Sequence, residues 1–346
     1  MPPIVTIFSS IEGIAKTLHD ADPSLLMEVV EDQALVGYGG TVTFDPSSLQ
    51  PESKLAIKRA TILISEPAVI AKLLEHDPSA LSSLQWCQST YAGVDPIFKS
   101  NLTFPPPWKL TRFAGCFGPP IAEWCIARII SHERGFSASA SDQKNRNWAG
   151  SKDAILRYRY LSTLTLSVLG CGDIGSCIAK AAKALGMKTI GYGKTKRKSD
   201  QVPDEFHEYT TYLPRALQGA DYIVSVLPST PDTRGILNDN QFMVASKAEG
   251  GKSPVFLNVG RGDVINEGSL LNALDMKWIS AAILDVFEVE PLPEESLLWD
   301  RPDVIVSPHV SGLTHGEDVP KVFLENYTLF VEGRELNYLV DWDKGY

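Results

Sequence analysis

The sequence predicts an α/β fold built from two doubly wound domains, each around a mainly parallel sheet. Short apolar runs that suit strands alternate with stretches of helical periodicity along most of the 346-residue chain. The length corresponds to two domains of about 150 residues each. A hydrophobic content of 44% with 21% charged residues is ordinary for globular proteins, so the chain has enough apolar side chains for two cores.

The first half of the chain shows the alternation in order. Strands are predicted at 4–8, 42–44, 60–64 and 84–89, and helices at 11–19 and 68–74. A proline-rich connector at 104–108 and two further prolines precede a helix predicted at 121–133. We place the first domain boundary between the connector and that helix.

A glycine pattern in the second half predicts a phosphate-binding turn. The apolar run 166–169 leads into Gly170, Gly172 and Gly175, and a helical pattern and a strand at 188–192 follow. Gly170 would permit a tight turn, Gly172 would let the backbone approach a pyrophosphate, and Gly175 would let the helix pack closely on the strand. Because a helix N-terminus favours anions, the stretch predicts a dinucleotide-binding site; the alternative is a purely structural turn.

Polar residues recur directly after the later strands, which are predicted at 222–227, 254–259, 279–284 and 304–307. Arg261 lies between two glycines after the second of these, and His309 follows the last. Parallel strands share one carboxyl edge, so we expect Arg261 and His309 to meet there, with Glu290 as the partner of the histidine. A guanidinium suits a carboxylate, and imidazole suits proton transfer. The alternatives are a surface arginine, a structural histidine and a solvated acidic loop.

A similar junction occurs earlier, where the strand at 84–89 is followed by Tyr91, Ala92 and Gly93. It lies at the carboxyl end of a strand, which is the edge where open α/β sheets bind ligands. A ligand-binding loop and a plain βα turn both fit this pattern.

Composition excludes several classes of partner. The net charge of −10 argues against nonspecific binding of nucleic acid, which needs a basic surface. No apolar run approaches the length of a membrane span, and the first residues lack a basic targeting region. The five cysteines are scattered, as in reduced cytosolic proteins, and neither cysteines nor histidines have metal-ligand spacing. We expect a soluble cytoplasmic protein without a metal.

Taken together, these stretches resemble the D-2-hydroxyacid dehydrogenase family, which contains glyoxylate/hydroxypyruvate reductases, D-lactate dehydrogenase and phosphoglycerate dehydrogenase. The resemblance covers most of the chain and is carried, in the family's order, by residues 91–95, 170–175, 227–233, 258–263, 284–293 and 307–312. It implies a Rossmann-type cofactor domain at 118–314 and a flavodoxin-like substrate domain made of 1–117 and 315–346, with a cleft between them. It also implies a homodimer formed through cofactor-domain helices.

The resemblance implies roles for the candidate residues. Arg261 would hold the substrate carboxylate, and His309 would protonate the carbonyl oxygen. Glu290 would fix the tautomer of His309 and favour its imidazolium form. The backbone amides of Ala92 and Gly93, beside Tyr91, would also receive the carboxylate. Asp285 would contact the nicotinamide carboxamide.

The cofactor is predicted to be NADP(H), although NAD(H) remains possible. NAD enzymes usually carry an acidic residue where this chain has Gly193, and the basic stretch 194–198 follows. A solvated basic loop is the alternative. Residues expected to contact the cofactor are Gly170, Gly172, Asp173, Ile174, Gly175, Lys194, Thr195, Lys196, Arg197, Leu227, Pro228, Thr233, Val259, Gly260, Arg261, Asp285, His309 and Gly312.

The implied activity is reduction of a small 2-oxo acid of the glyoxylate, hydroxypyruvate or pyruvate type to the D-2-hydroxy acid, by hydride transfer from NADPH. The alternative is a nucleotide-sensing protein of the same fold that acts as a corepressor. The presence of Arg261, Glu290 and His309 together favours catalysis. We expect side-chain specificity to depend on the loop at 37–40, on Tyr91 and on residues that follow Ser311.

Overall fold

The computed structural model describes residues 3–38, 41–100, 105–245 and 252–343. The chain divides into two compact units, one made of Met1–Cys116 with Leu313–Tyr346 and the other of Phe117–Gly312. Gly39 and Gly40, in the loop from which substrate specificity is predicted, lie outside the described residues.

Strands and helices alternate through both units. The strands are β1 (Val5–Ile7), β2 (Met27–Val29), β3 (Leu35–Tyr38), β4 (Thr41–Phe44), β5 (Ile62–Ser65), β6 (Trp86–Ser89), β7 (Lys109–Thr111), β8 (Thr165–Leu169), β9 (Lys188–Tyr192), β10 (Glu208–Thr210), β11 (Tyr222–Ser225), β12 (Val255–Asn258), β13 (Ala281–Leu284) and β14 (Val304–Val306). The α-helices are α1 (Ile14–Ala21), α2 (Pro51–Arg59), α3 (Pro67–His76), α4 (Asp95–Lys99), α5 (Gly118–Arg134), α6 (Phe136–Lys144), α7 (Lys152–Ile155), α8 (Asp173–Ala184), α9 (Leu213–Leu217), α10 (Glu267–Asp275) and α11 (Val319–Val331).

The first unit contains a parallel sheet in the order β2-β1-β5-β6-β7. Counted within this sheet, the order is 2-1-3-4-5, which is the flavodoxin-like arrangement. Helix α11 returns to this unit, where Phe323 stacks on the buried Trp86 at 5.1 Å between ring centroids. The apolar face of α11, which includes the buried Val322 and Phe323, is therefore part of the core of this unit.

One predicted strand of this unit has a different partner from the expected one. We expected residues 42–44 to belong to the mainly parallel sheet, but β4 pairs antiparallel with β3 in a separate two-stranded sheet. The physical reason is the link of two residues between β3 and β4, which is a hairpin length, whereas a parallel pair needs a long crossover.

The second unit contains a seven-stranded parallel sheet in the order β10-β9-β8-β11-β12-β13-β14. Counted within the sheet, the order 3-2-1-4-5-6-7 is the Rossmann arrangement with one added strand. The order reverses between β8 and β11, and open α/β sheets bind ligands outside the carboxyl ends at that point. The predicted fold class of two doubly wound parallel-sheet units is confirmed.

A membrane-spanning helix and a metal site are both absent from the part of the chain that the structure describes. Its helices are too short or too polar to cross a membrane. Its His, Cys, Asp and Glu side chains form no group of three that could hold a metal ion.

Candidate active site

The glycine turn between β8 and α8 has a geometry that larger residues would not allow. Gly170 has φ of 109°, in the left-handed region. A Cβ on Gly175 would lie 1.9 Å from the carbonyl oxygen of Gly170, so the first turn of α8 packs directly on the turn backbone. A Cβ on Gly172 would meet no atom within 4 Å. The backbone at Gly172 therefore faces open space at a helix N-terminus, with Asp173 and Ile174 as the first helical residues.

Arg197 folds back from the basic loop over this turn. Its Nη2 donates to the carbonyl oxygen of Cys171 at 3.2 Å, and its guanidinium lies 5.2 Å from the ring centroid of Tyr209. The Tyr209 hydroxyl donates to the carbonyl oxygen of Thr195 at 2.7 Å. A Cβ on Gly193 would lie 2.4 Å from that hydroxyl. Tyr209 thus occupies the space of the acidic side chain that NAD enzymes usually carry after this strand.

The other basic residues of the loop are not gathered around one point. Lys194 forms an ion pair with Asp232, in the loop that follows β11. The side chain of Lys196 is exposed. Of Lys194, Thr195, Lys196 and Arg197, which are predicted to contact the cofactor, Arg197 is therefore the one that the structure brings against the glycine turn.

The loops after β11 and β12 approach each other closely. A Cβ on Gly260 would lie 2.7 Å from the carbonyl oxygen of Leu227. Thr233 folds its own loop by donating to the carbonyl oxygen of Pro228 at 2.5 Å. Val259 is buried beside Gly260. Gly312 contacts α5, because a Cβ there would lie 2.7 Å from Ile121. These predicted cofactor contacts thus line the carboxyl edge of the sheet, or border it.

The structure brings Glu290 and His309 together. Nδ1 of His309 lies 2.8 Å from Oε2 of Glu290, and the two side chains are 48% and 35% exposed. The second carboxylate oxygen of Glu290 accepts a hydrogen bond of 2.9 Å from the Phe287 N–H, which fixes the carboxylate on its loop.

Arg261 is close enough to Glu290 for its charge to act on that carboxylate. Burial alone would raise the pKa of Glu290, but the hydrogen bond and charge of His309, the Phe287 N–H and the charge of Arg261 lower it below its ordinary value. Nη1 of Arg261 donates to the carbonyl oxygen of Gly260 at 2.8 Å, which folds the guanidinium onto its own loop. All three predicted catalytic residues therefore lie at one edge of the sheet in the second unit.

Asp285 holds the segment that carries His309. This fully buried carboxylate accepts hydrogen bonds from the Ser307 hydroxyl at 2.5 Å, the Val310 N–H at 3.0 Å and the Ser311 N–H at 2.8 Å. His309, within that segment, has φ of 54°. A non-glycine residue in the left-handed region costs about 1–3 kcal/mol and persists where surrounding contacts determine it. These partners differ from the predicted nicotinamide contact of Asp285, which stays a prediction.

Tyr91, Ala92 and Gly93 form a turn after β6 in the first unit. The turn is held at its base, because the Ser89 hydroxyl donates to the Tyr91 carbonyl oxygen at 2.7 Å and accepts from the Tyr91 N–H at 3.0 Å. The Phe113 N–H also donates to the Tyr91 carbonyl oxygen at 3.1 Å. Burial is the main cause that raises the pKa of Tyr91 to about 12, so its hydroxyl is neutral.

Two residues at these edges escaped the sequence interpretation. Glu66 directly follows β5 and is fully buried. Glu66 could have been found from the sequence, because it follows an apolar strand as Arg261 and His309 do. Tyr209 gave no such signal, because its contact with Arg197 depends on the pairing of β10 with β9.

Comparison with known proteins identifies the family. The model for D-isomer specific 2-hydroxyacid dehydrogenase, NAD binding domain, matches residues 126–311. The chain belongs to this family. The predicted family and the predicted class of NAD(P)-dependent oxidoreductase are therefore confirmed, and the matched region contains the glycine turn, Arg261, Glu290 and His309.

Individual relatives extend the match beyond that domain. Glyoxylate/hydroxypyruvate reductase B from Escherichia fergusonii is 33% identical over 86% of this chain and 88% of the relative. A solved D-isomer specific 2-hydroxyacid dehydrogenase family protein from Aeromonas salmonicida is 32% identical with a TM-score of 0.79, and 99% of each chain is covered. An NADPH-dependent glyoxylate/hydroxypyruvate reductase from Sinorhizobium meliloti, solved with NADP and sulfate, is 27% identical with a TM-score of 0.75, covering 99% of this chain and all of that one.

Proposed function

We propose that this enzyme reduces a small 2-oxo acid of the glyoxylate, hydroxypyruvate or pyruvate type to the D-2-hydroxy acid, with NADPH as the reductant. The observation that carries the proposal is the contact between His309 and Glu290, which places an oriented imidazole at the ligand edge of a dinucleotide-binding sheet. The glyoxylate/hydroxypyruvate reductases among the relatives act on acids of this class.

His309 would serve as the general acid. With Nδ1–H donated to Glu290, Nε2 is the nitrogen that is available to a substrate. Nε2 would give its proton to the carbonyl oxygen of the 2-oxo acid while C2 accepts hydride, and would remove the hydroxyl proton in the reverse direction. The reduced nicotinamide supplies the hydride when it is bound. Glu290 would stabilise the protonated imidazole and hold its ring orientation.

Arg261 would bind the substrate carboxylate and polarise the 2-oxo group. Its planar guanidinium can hold two oxygens at once, which a lysine could not do with the same geometry. The backbone amides of Ala92 and Gly93, in the turn beside Tyr91, are proposed as further donors to the carboxylate.

The open space at Gly172 leaves room for the diphosphate of either dinucleotide at the N-terminus of α8. Two observations support NADPH over NADH. Gly193 presents no carboxylate that would repel a 2′-phosphate, and Tyr209 fills the space beside it. Arg197 lies against the glycine turn. We propose that Arg197 binds the 2′-phosphate. Lys194, Thr195 and Lys196 are proposed as further contacts, for which their side chains would have to turn towards Arg197 when the cofactor binds.

We also propose a homodimer. The segment after α5 exposes large apolar side chains within the second unit, including Trp148 at 92% and Leu156 at 63% exposure. A second copy of this chain would cover them. Light scattering with size-exclusion chromatography should give twice the monomer mass, and Trp148→Ser should shift the mass towards the monomer. A monomer at micromolar concentration would contradict this proposal.

The test of the activity is the loss of nicotinamide absorbance with glyoxylate, hydroxypyruvate or pyruvate, using NADPH and NADH in parallel. We expect turnover with a preference for NADPH, and loss of turnover in His309→Ala with NADPH binding retained. A preference for NADH would refute the role of Arg197 and leave the reductase intact. Tight binding of NADPH without turnover of any 2-oxo acid would favour the nucleotide-sensing corepressor.

A further inference from the structure

Tyr209 holds the basic loop at two points. It lies in the edge strand β10, whose neighbour β9 leads into that loop. The Tyr209 hydroxyl donates to the carbonyl oxygen of Thr195 at 2.7 Å, and the centroid of its ring lies 5.2 Å from the guanidinium carbon of Arg197. Because Arg197 also donates to the carbonyl oxygen of Cys171 at 3.2 Å, its exposed side chain is held between the tyrosine ring and the glycine turn.

The surface of β9 is bare where this ring lies. Gly191 is the register partner of Tyr209, and side chains alternate along a strand, so Gly193 belongs to the same face. A Cβ on Gly193 would lie 2.4 Å from the Tyr209 hydroxyl oxygen and 3.2 Å from the ring carbon that carries it. A side chain at position 193 and the tyrosine in its present place therefore exclude each other. Moving the hydroxyl aside would break its hydrogen bond to Thr195.

The contact with the ring prepares Arg197 to bind a phosphate. An exposed arginine loses rotamer freedom when it binds a ligand, and this loss lowers the affinity. The ring restrains the guanidinium before any ligand is bound, so less freedom remains to be lost. The aromatic face attracts the charge of the group, whereas a phosphate is bound by its N–H donors, so one arginine can make both contacts. This restraint favours NADPH alone, because NADH has no 2′-phosphate.

We propose that Tyr209 is a positioning residue that sets the choice of NADPH, because it holds Arg197 for the 2′-phosphate and fills the space that an acidic side chain at position 193 would need. The inference rests on the proposed function, in which Arg197 binds that phosphate. NAD enzymes usually carry an acidic residue where this chain has Gly193, and that residue accepts hydrogen bonds from the adenosine ribose. In this chain such a residue could act only after Tyr209 has moved. Cofactor choice is therefore a joint property of positions 193 and 209.

The first test measures the Kd for NADPH and the Kd for NADH by nicotinamide fluorescence. Tyr209→Leu removes both the ring and the hydroxyl, so the Kd for NADPH should rise about fivefold or more, while the Kd for NADH should stay within about twofold. Tyr209→Phe keeps the ring, so its Kd for NADPH should stay within about twofold of that of the unaltered enzyme. In steady-state kinetics, Tyr209→Leu should raise the KM for NADPH at unchanged kcat. The matched control is Tyr212→Leu, at an exposed tyrosine three residues further along the chain, which should leave both Kd values unchanged.

The second test joins the two positions in a double-mutant cycle. Gly193→Asp in the presence of Tyr209 should weaken NADPH binding at least about tenfold, because the carboxylate repels the 2′-phosphate, without improving the Kd for NADH. In Gly193→Asp/Tyr209→Leu the carboxylate has the space to reach the ribose, so the Kd for NADH should fall about fivefold below that of Gly193→Asp. Since Tyr209→Leu alone leaves NADH binding unchanged, this gain measures the coupling between the two positions. Urea unfolding of each variant checks that the cofactor domain is folded.

Four results would overturn the inference. Equal losses of NADPH and NADH affinity in Tyr209→Leu would show that the tyrosine supports the domain and does not act on the 2′-phosphate. An NADH affinity that improves as much in Gly193→Asp as in the double variant would show that Tyr209 does not exclude a side chain at position 193. A preference of the unaltered enzyme for NADH would refute the proposed cofactor choice and this inference with it. A preference for NADPH that persists unchanged in Tyr209→Leu refutes the inference alone.

Discussion

Replacing Asp285 by asparagine should weaken the fold and slow catalysis at the same time. The carboxylate accepts three hydrogen bonds from the segment that carries His309, two on one oxygen and one on the other. An asparagine retains one oxygen. If that oxygen serves Ser307 and Val310, the amide nitrogen faces the Ser311 N–H, and two donors oppose each other without an acceptor.

The loss of one charge-assisted hydrogen bond together with an orphan buried donor costs about 2–4 kcal/mol of unfolding free energy. Because His309 has a left-handed backbone conformation that these contacts support, its imidazole should shift, and kcat should fall by about 10- to 100-fold. Urea unfolding and steady-state kinetics measure the two effects. Ser307→Ala is the matched control, since it removes one hydroxyl donor to the carboxylate at a cost of about 1.5 kcal/mol and leaves both backbone bonds.

Two outcomes separate the possible roles of Asp285. If Asp285→Asn is less stable in urea but keeps the kcat of the unaltered enzyme, the carboxylate does not position His309. A tenfold increase in the Kd for NADPH at unchanged kcat would instead support the nicotinamide contact predicted from the sequence.

Three further predictions concern the rest of the site. Gly175→Ala should lower the free energy of unfolding by about 3 kcal/mol or more, because its Cβ would collide with backbone. In Gly172→Ala the Cβ meets no atom within 4 Å, so this variant should unfold in urea like the unaltered enzyme but bind NADPH at least about tenfold more weakly. Equal stability losses in the two variants would contradict this. Arg197→Gln should raise the Kd for NADPH by about 10- to 100-fold and leave the Kd for NADH unchanged. Lys198→Gln is the control, and an equal effect of Arg197→Gln on both cofactors would exclude a 2′-phosphate contact. Glu290→Gln should lower kcat by about 10- to 100-fold, but because the ion pair is half-exposed it should cost less than about 1 kcal/mol of stability near neutral pH. The pKa of Glu290 lies below its ordinary value of 4.5, so the stability difference between the variant and the unaltered enzyme should be complete above pH 4.5. It should disappear as the pH falls through the lower folded-state pKa. A stability difference that grew in acid would refute the lowered pKa of Glu290.

The glycine turn was predictable because its requirements are local. A left-handed φ at Gly170 and the close packing at Gly175 follow from a strand that must turn directly into a helix. The short link between β3 and β4 carries local information of the same kind, and the alternation of strands and helices obscured it. Reading that link as a hairpin gives the antiparallel pair that the structure contains.

Contacts of the basic loop could not be predicted, because they depend on strand pairing. Tyr209 reaches Arg197 through the alignment of β10 beside β9, and Asp232 reaches Lys194 from the loop after β11. These partners are 12 and 38 residues apart in sequence. No local pattern specifies which of four basic side chains turns towards the glycine turn.

The sequence by itself determined the fold class, the family and the sheet edges at which the functional residues lie, since hydrophobic periodicity and strand-end residues are properties of short stretches. The tertiary structure decided which of those residues meet. Asp285 holds the segment of His309 because β13 and β14 are neighbours in register, and the Thr90 N–H reaches the Ser65 carbonyl oxygen because β5 and β6 are neighbours. Strand order and register arise from the packing of a whole sheet, in which each pairing depends on all the others.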